Sequence, residues 1–582
     1  MSPEPRRATG RGRLPQCAWA MVVFAATFIP LVGCSRPEAD NTLTEAGHGA
    51  VASVCETASG VGVDVLKKGG NAVDAAVAVG FALAVTYPPA GNIGGGGFML
   101  VYPGNGRRPV CVDYRETAPA AATVDMLSGD VARTDARMVG VPGTVRGLAL
   151  AHREFGKLAW RDLVQPAVEL AEKGFVVNAE LAASLNEVRQ RYPQMAGLQA
   201  AFRPPEGKAA WSGGDRLVQR ELAATLRLIA NAGPEAFYEG TIADQIVAEM
   251  RATGGAISRE DLRSYQPKLR EPVRGTYRGY DILAAPPPSS GGVALIEMLN
   301  MLEPFELRRE GRWSPKTLHI LIEVMRRAYR DRAAYLGDPD FSQIPASLTS
   351  KEYARQSAAS IDPTHATPSE RLAGPIRLRE EGDSTTHFSI IDKDGMAVAN
   401  TYTLERSYGA KIVVGGAGFL LNNEMGDFNA RPGVTDRDGH VGTPPNLIAP
   451  GKRMLSAMTP TIVTHNGRAV LITGSPGGRT IINTVLCVVL NSLEFEMGPR
   501  EAVDAPRLHH QWFPDKVRLE AVAEPISEAA LNELHAIGHT ITREDPDGDA
   551  FIQGDAHSIF VREGRYVGVS DRRIHGGGAV GY

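Results

Sequence analysis

A threonine that opens a strand directly behind a polar, proline-rich stretch is placed for one particular kind of chemistry. Thr385 stands there, after the segment Asp362–Ser384 and at the head of Thr385-Thr386-His387-Phe388-Ser389-Ile390-Ile391. A threonine hydroxyl is a poor nucleophile until a base takes its proton. If the chain is cut between Ser384 and Thr385, the freed α-amine of Thr385 is such a base, with an ordinary pKa of about 7.7–8.0. One residue then supplies nucleophile and base together. The same hydroxyl could first attack the Ser384 carbonyl, shift the acyl group from N to O, and release the new terminus by hydrolysis. Taken alone, Ser-Thr-Thr at a strand start is far more often plain β-propensity or local hydrogen bonding.

The elements around it must hold such a residue in place. Thr385–Ile391 alternates, Asp392-Lys393-Asp394-Gly395 turns, and Met396–Leu404 alternates again, which predicts a hairpin. A second hairpin is expected at Asn466-Gly467, joining 461–464 to 469–473, with helix resuming near Ile481. Further upstream, Asn71–Val79 is alanine-rich and apolar nearly all round, the pattern of a buried helix. Gly91-Asn92-Ile93-Gly94-Gly95-Gly96-Gly97 forbids regular helix and allows close backbone approach; without a GxxxxGK[ST] pattern it is not a nucleotide loop. From Gly143 to about Leu336 the pattern is mainly helical. It includes a capping box at Ser258, a rigid Pro286–Gly292 loop with a helix behind it, and an amphipathic helix over 314–335 with its arginines on one side. Helices, then paired strands, then helices suggest layers of α, β, β and α, an α+β fold.

The chain's 582 residues exceed one core of typical size, and its net charge of −4 gives no reason to invoke nucleic acid. At the N-terminus, Arg6, Arg7, Arg11 and Arg13 precede an apolar run from Cys17 to Gly33, the layout of an export signal. It ends Leu31-Val32-Gly33-Cys34, which resembles a bacterial lipobox and makes Cys34 a lipidation site. A plain signal peptide or an uncleaved anchor fits the same run. Residues 35–48 read as a tether. The five cysteines show no CxxC pair or His/Cys cluster, so neither a metal site nor a disulfide framework is expected, and Cys487 is expected to be buried.

Several motifs in order change the weight of Thr385. Gly91–Met99, Asp113-Tyr114-Arg115-Glu116, Pro286–Gly292, Thr385-Thr386-His387, Leu421-Asn422-Asn423-Glu424-Met425, Gly474-Ser475-Pro476-Gly477-Gly478 and Ala579-Val580-Gly581-Tyr582 closely resemble the γ-glutamyltransferase family. These are N-terminal nucleophile hydrolases of four-layer αββα fold, and the resemblance runs from about Gly49 to Tyr582. It implies a proenzyme: a signal over 1–34, a large subunit over 49–384, and a small subunit over 385–582 that opens with the nucleophile Thr385. It implies further that Thr403 helps activate that nucleophile and that the Gly477 and Gly478 amides hold the oxyanion. Arg115 and Ser456 would grip a substrate α-carboxylate, while Glu405, Glu424 and Asp427 would hold its α-ammonium. No cofactor or metal is implied. The partners are small molecules, glutathione and related γ-glutamyl compounds with amino acid or peptide acceptors; the large and small subunits form a heterodimer, and the protein is expected to be exported, either periplasmic or membrane-anchored as a lipoprotein.

Two departures stand out. Where the family usually has two serines, Leu455-Ser456-Ala457-Met458 keeps one. The lid position, Pro432–Pro445, lacks the aromatic residue that some members carry, with Asp438 near that place. Rival expectations are a glutaryl or cephalosporin-type acylase, whose substrates lack an α-ammonium, and a processing-dead lipoprotein that only binds γ-glutamyl material.

Overall fold

In the computed structural model, the described residues are 40–129, 131–373, 385–437, 441–520, 526–545 and 550–582. Fourteen strands make the two large sheets: β1 (Leu43–Ala46), β2 (Ala50–Ser53), β3 (Gly96–Tyr102), β4 (Val110–Asp113), β5 (Lys268–Arg270), β6 (Val273–Tyr277), β7 (Tyr280–Ala284), β8 (Thr386–Ile391), β9 (Ala397–Thr403), β10 (Thr461–His465), β11 (Arg468–Thr473), β12 (Ser558–Arg562), β13 (Arg565–Val569) and β14 (Gly578–Gly581). One sheet runs β1-β13-β12-β11-β10-β7-β6, the other β14-β2-β8-β9-β3-β4-β5. Their facing sides share a core of small and branched residues, among them Ala52, Phe98, Leu100, Ala399, Ile462, Ile472 and Ile559. Small side chains let the sheets approach closely while still excluding water.

The helices cover the outer faces. α1 (Glu56–Lys67), α2 (Ala72–Thr86) and α3 (Thr144–Phe155) pack on the sheet that holds β8. Every residue of α2 is buried. Its start is fixed by a capping box in which the Asn71 side chain accepts from the Val73 and Asp74 amides and Asp74 accepts from the Asn71 amide. α4 (Gly291–Leu302), α5 (Pro315–Tyr335) and α6 (Thr480–Leu493) pack on the other sheet, with Cys487 buried between them. The order of layers is therefore α, β, β, α, as expected.

Both hairpins form where the pattern placed them. β8 pairs with β9 from Thr386 opposite Tyr402 to Ile391 opposite Ala397, and Asn466 and Gly467 take left-handed φ values of 51° and 72° in the turn between β10 and β11. Two expectations are corrected. The stretch from Gly143 to Leu336, read as mainly helical, also supplies β5, β6 and β7, which join both sheets. α5 is not a surface helix with an arginine face: Arg326, Arg327 and Arg332 are all buried. Glu323 accepts from Arg327 at 2.6 Å and Asp515 pairs with Arg326, so the helix carries its charges inside already neutralised.

Candidate active site

Thr385 lies one residue ahead of β8 and is 9% exposed. Continuing the register one step past Thr386–Tyr402 sets Thr385 opposite Thr403, the last residue of β9. Directly opposed residues of an antiparallel pair put their side chains on one face with Cβ atoms about 4.5–5.5 Å apart. The hydroxyl of Thr403 accepts the Glu405 amide at 2.9 Å. Its position is set by the glycine run. Thr403 pairs with Gly96 across β3, and a Cβ on Gly95 would strike the Thr403 carbonyl. The Asn92 amide group reaches the same carbonyl at 2.9 Å. The run is a cradle for backbone, which is why glycine is required there.

Gly477 and Gly478 lie between β11 and α6, one residue ahead of the helix. Their φ values of 122° and 51° are in the region that favours glycine. Their carbonyls accept the first amides of the helix, from Thr480 at 3.0 Å and Ile481 at 3.2 Å. Backbone amides at a helix N-terminus favour negative charge, as an oxyanion requires.

Thr385, Thr403, Gly478, Arg115, Glu405, Glu424, Asp427, Ser456 and Ala457 line a single cavity of about 30 Å³. Gly477 is the one site residue of the described set beside the cavity but not on its wall. Ser384, Cys34 and Asp438 lie outside the described residues. Sequence reasoning missed the lining roles of four further residues, Arg332, Met458, Arg479 and Ile481. Arg479 directly follows the glycine pair and could have been inferred from it; Arg332 sits mid-helix and carries no local signal.

Arg115, Glu405 and Glu424 are buried and Asp427 half-buried, although their pattern resembles solvated surface. Arg115 is 1% exposed and Glu424 0%. Arg115 pairs with Glu424 at 2.5 Å and with Asp427, and Glu116 lies 3.6 Å away. Burial would depress the guanidinium, but Glu424 and Asp427 outweigh it and hold it charged. Burial pushes the Glu116 carboxyl up to about 8, and burial with carboxylate neighbours drives Glu424 upward too. Burial likewise lifts Glu405 to about 7, against the pull of Arg133 and Arg406. Glu405 is held with a left-handed φ of 80°, a strained conformation for a non-glycine residue.

Ser456 is fixed by the proline loop. Its amide donates to the Pro288 carbonyl at 2.9 Å, and its carbonyl accepts from the Ser290 amide and hydroxyl. Arg332 donates to that same Ser290 hydroxyl at 2.9 Å. The Ser456 hydroxyl accepts the Met458 amide at 3.1 Å, which leaves its proton to point elsewhere. The base of the Pro432–Pro445 segment is tied to the site through Asn446, whose side chain donates to the Asp427 carbonyl at 2.7 Å. Elsewhere, His319, Glu323 and His539 gather within 4.8 Å. Arg327 and Arg326 already neutralise Glu323, which makes the trio a buried network of the α5 layer.

Two seven-stranded sheets between helical layers, with a threonine heading a central strand, define an N-terminal nucleophile hydrolase fold. The Gamma-glutamyltranspeptidase family model matches residues 58–581, and the chain belongs to that family. It is 46% identical over 538 residues to the glutathione hydrolase proenzyme of Escherichia coli strain K12, covering 91% of each chain. It is 37% identical over 501 residues to the acylase ACY 1 proenzyme of Pseudomonas sp. strain SE83, covering 84% of this chain and 86% of that one. Among solved structures, the cephalosporin acylase from Bacillus halodurans superposes with a TM-score of 0.80 at 27% identity, covering 93% and 97% of the two chains.

Proposed function

We propose that this chain is a proenzyme that cuts itself between Ser384 and Thr385 and then hydrolyses or transfers γ-glutamyl groups from glutathione and related amides. The observation that carries the reading is one cavity holding a strand-opening threonine, a second threonine opposite it, and an arginine set among acidic residues. An amino acid head group needs that mixture: a fork for its carboxylate and acids for its ammonium. Arg115 is paired with Glu424 and Asp427 in the structure, and a bound head group would exchange those contacts for its own. The zwitterion offers each ion a new partner, so no buried charge is left alone.

In the reaction, the Thr385 amine takes the hydroxyl proton while Oγ1 attacks the γ-carbonyl carbon. The Gly477 and Gly478 amides hold the resulting oxyanion, each worth about 2.7–4 kcal/mol. The intermediate collapses to a γ-glutamyl ester, and the leaving amine departs with the proton. Water then yields glutamate, or an amine acceptor yields a new γ-glutamyl amide, with the Thr385 amine again serving as base. The large piece would run to Ser384 and the small piece from Thr385 to Tyr582, held together as a heterodimer. The basic, apolar N-terminus ending at Cys34 supports export with a lipid anchor.

An acylase reading has one residue in its favour, Ala457, which removes a carboxylate donor from the wall. Glu405, Glu424 and Asp427 oppose it, since a glutaryl group brings no cation to offset them. The test is Thr385→Ala. We expect it to run as one polypeptide and to release no chromophore from a γ-glutamyl anilide, while the parent gives a small fragment whose first residue is threonine. Turnover by the variant, or an intact 384–385 bond in active protein, would overturn the reading.

A further inference from the structure

A second cavity, of about 430 Å³, has a wall that includes Arg133, Arg191, Arg406 and Lys411 and a single acid, Glu187. That is room for a small metabolite, with a marked excess of positive charge. Two of these cations reach the active-site wall: Arg133 stands 3.5 Å and Arg406 3.3 Å from the Glu405 carboxylate. Neither contact is a hydrogen bond: the facing nitrogens, Nη1 of Arg133 and Nε of Arg406, are buried without an acceptor, and both Glu405 oxygens are buried without a donor. Arg133 packs across Gly426, where a Cβ would strike its guanidinium. Lys411 is 5% exposed; its ammonium donates to the Gly409 carbonyl at 2.7 Å and lies 5.3 Å over the Tyr192 ring. A buried ammonium without a carboxylate in contact is costly to keep. The segment that links the two cavities holds Glu405, Tyr408 and Lys411 at φ values of 80°, 61° and 61°. Strain concentrated in this way is kept where the surroundings over-determine a geometry.

We infer that this cavity is a binding site for a small, multiply charged oxyanion, a polycarboxylate or a phosphate, coupled through Arg133 and Arg406 to the ammonium subsite at Glu405. The inference rests on the γ-glutamyl reading of the catalytic cavity. An anion gives the two guanidiniums the acceptors they lack and draws them off Glu405. The Glu405 carboxylate is then less neutralised and holds the substrate α-ammonium more tightly. Coupling of this kind is reciprocal, so donor substrate also tightens the anion.

The experiment measures hydrolysis of a γ-glutamyl anilide by the processed enzyme at about pH 9, well above the value of about 7 to which burial lifts Glu405, because drawing Arg133 and Arg406 away removes the pull that lowers it. Citrate is titrated in one arm and inorganic phosphate in another, with sodium chloride holding ionic strength constant. The expected result is a saturable fall in KM of about three- to tenfold with kcat unchanged, the size of a double charge acting through a guanidinium at a protein surface. Arg191→Glu, which touches neither Glu405 nor the catalytic cavity, is expected to keep the anion-free KM and lose the response. Isothermal titration of citrate into both proteins reads the site without turnover and should give heat only with the parent. A response to citrate alone identifies a polycarboxylate, to phosphate alone a phosphate, and to both an oxyanion site tolerant of shape. A KM that follows ionic strength only, or an equal response in Arg191→Glu, overturns the inference. Absence of anilide turnover by the parent would instead sink the γ-glutamyl reading itself.

Discussion

Replacing Thr403 with valine removes one oxygen and almost no volume, so its effect can be worked from the contacts. In the parent, the Thr403 hydroxyl accepts the Glu405 amide at 2.9 Å in a site 2% exposed. Valine leaves that amide buried without an acceptor, at a cost of about 1–3 kcal/mol. The left-handed conformation of Glu405, itself worth about 1–3 kcal/mol of strain, loses the bond that helps to hold it. Valine also withdraws the hydroxyl opposite Thr385, and a hydrogen bond to a group gaining charge is worth about 1.5–3 kcal/mol. Thr403→Val should therefore lower kcat by about 10- to 150-fold and raise donor KM as Glu405 drifts. Thr403→Ser keeps the oxygen and drops one buried methyl, about 0.8 kcal/mol of stability, and should stay within about threefold of the parent. The assay is anilide hydrolysis, with a denaturing gel to confirm that each variant is cut. A processed valine variant with parental kcat and KM would refute the reasoning. A serine variant as poor as valine would move the cause from the hydroxyl to packing.

Ala457→Ser restores a donor to the cavity wall, and one neutral hydrogen bond of about 0.5–1.5 kcal/mol should lower donor KM about two- to tenfold at constant kcat; a rise in KM would mean that the cavity has no room for the oxygen. Glu405 is raised to about 7 by burial, so it is neutral and a poor partner for an ammonium below that pH. Donor KM should therefore fall as pH rises through about 7, and Glu405→Gln should flatten that part of the profile while leaving KM high throughout. Gly95→Ala drives a methyl into the Thr403 carbonyl, so slowed or absent self-cleavage on a gel is expected, with a lowered Tm.

Local pattern made much of the fold legible. The buried helix behind Asn71, the turn at Asn466-Gly467 and the hairpin behind Thr385 each carry their cause within a few residues. The hairpin still hid something: its alternation suggests one wet face, yet β8 and β9 are buried on both sides. Its polar residues serve one another instead, His387 bonding Thr401 at 2.8 Å and Ser389 at 3.0 Å. The site charges were legible only through family resemblance. Arg115 and Asp427 are 312 positions apart in the chain, and no window on the sequence can show that the acid helps permit the arginine's burial. β5 to β7 were missed for a similar reason, since strands rich in Arg, Lys and Tyr are shaped by their neighbours in the sheet more than by their own pattern. The buried face of α5 follows the same logic only in part: Arg327 pairs with Glu323 of the same helix, but Arg326 also needs Asp515, far along the chain.

The sheet orders have a further consequence. Strands from before and after residue 385 are neighbours in both sheets: β2 is bordered by β14 and β8, β3 by β9, β1 by β13 and β7 by β10. The proposed scission thus cannot yield two bodies that drift apart; parting them means tearing several ladders at once. It also removes the tether that brought those strands together. Uncut polypeptide can thread its sheets as a unimolecular process, whereas the severed pieces, once unravelled, would have to find each other and interdigitate. Self-cleavage would then act as a ratchet, leaving a catalyst whose persistence depends on never opening.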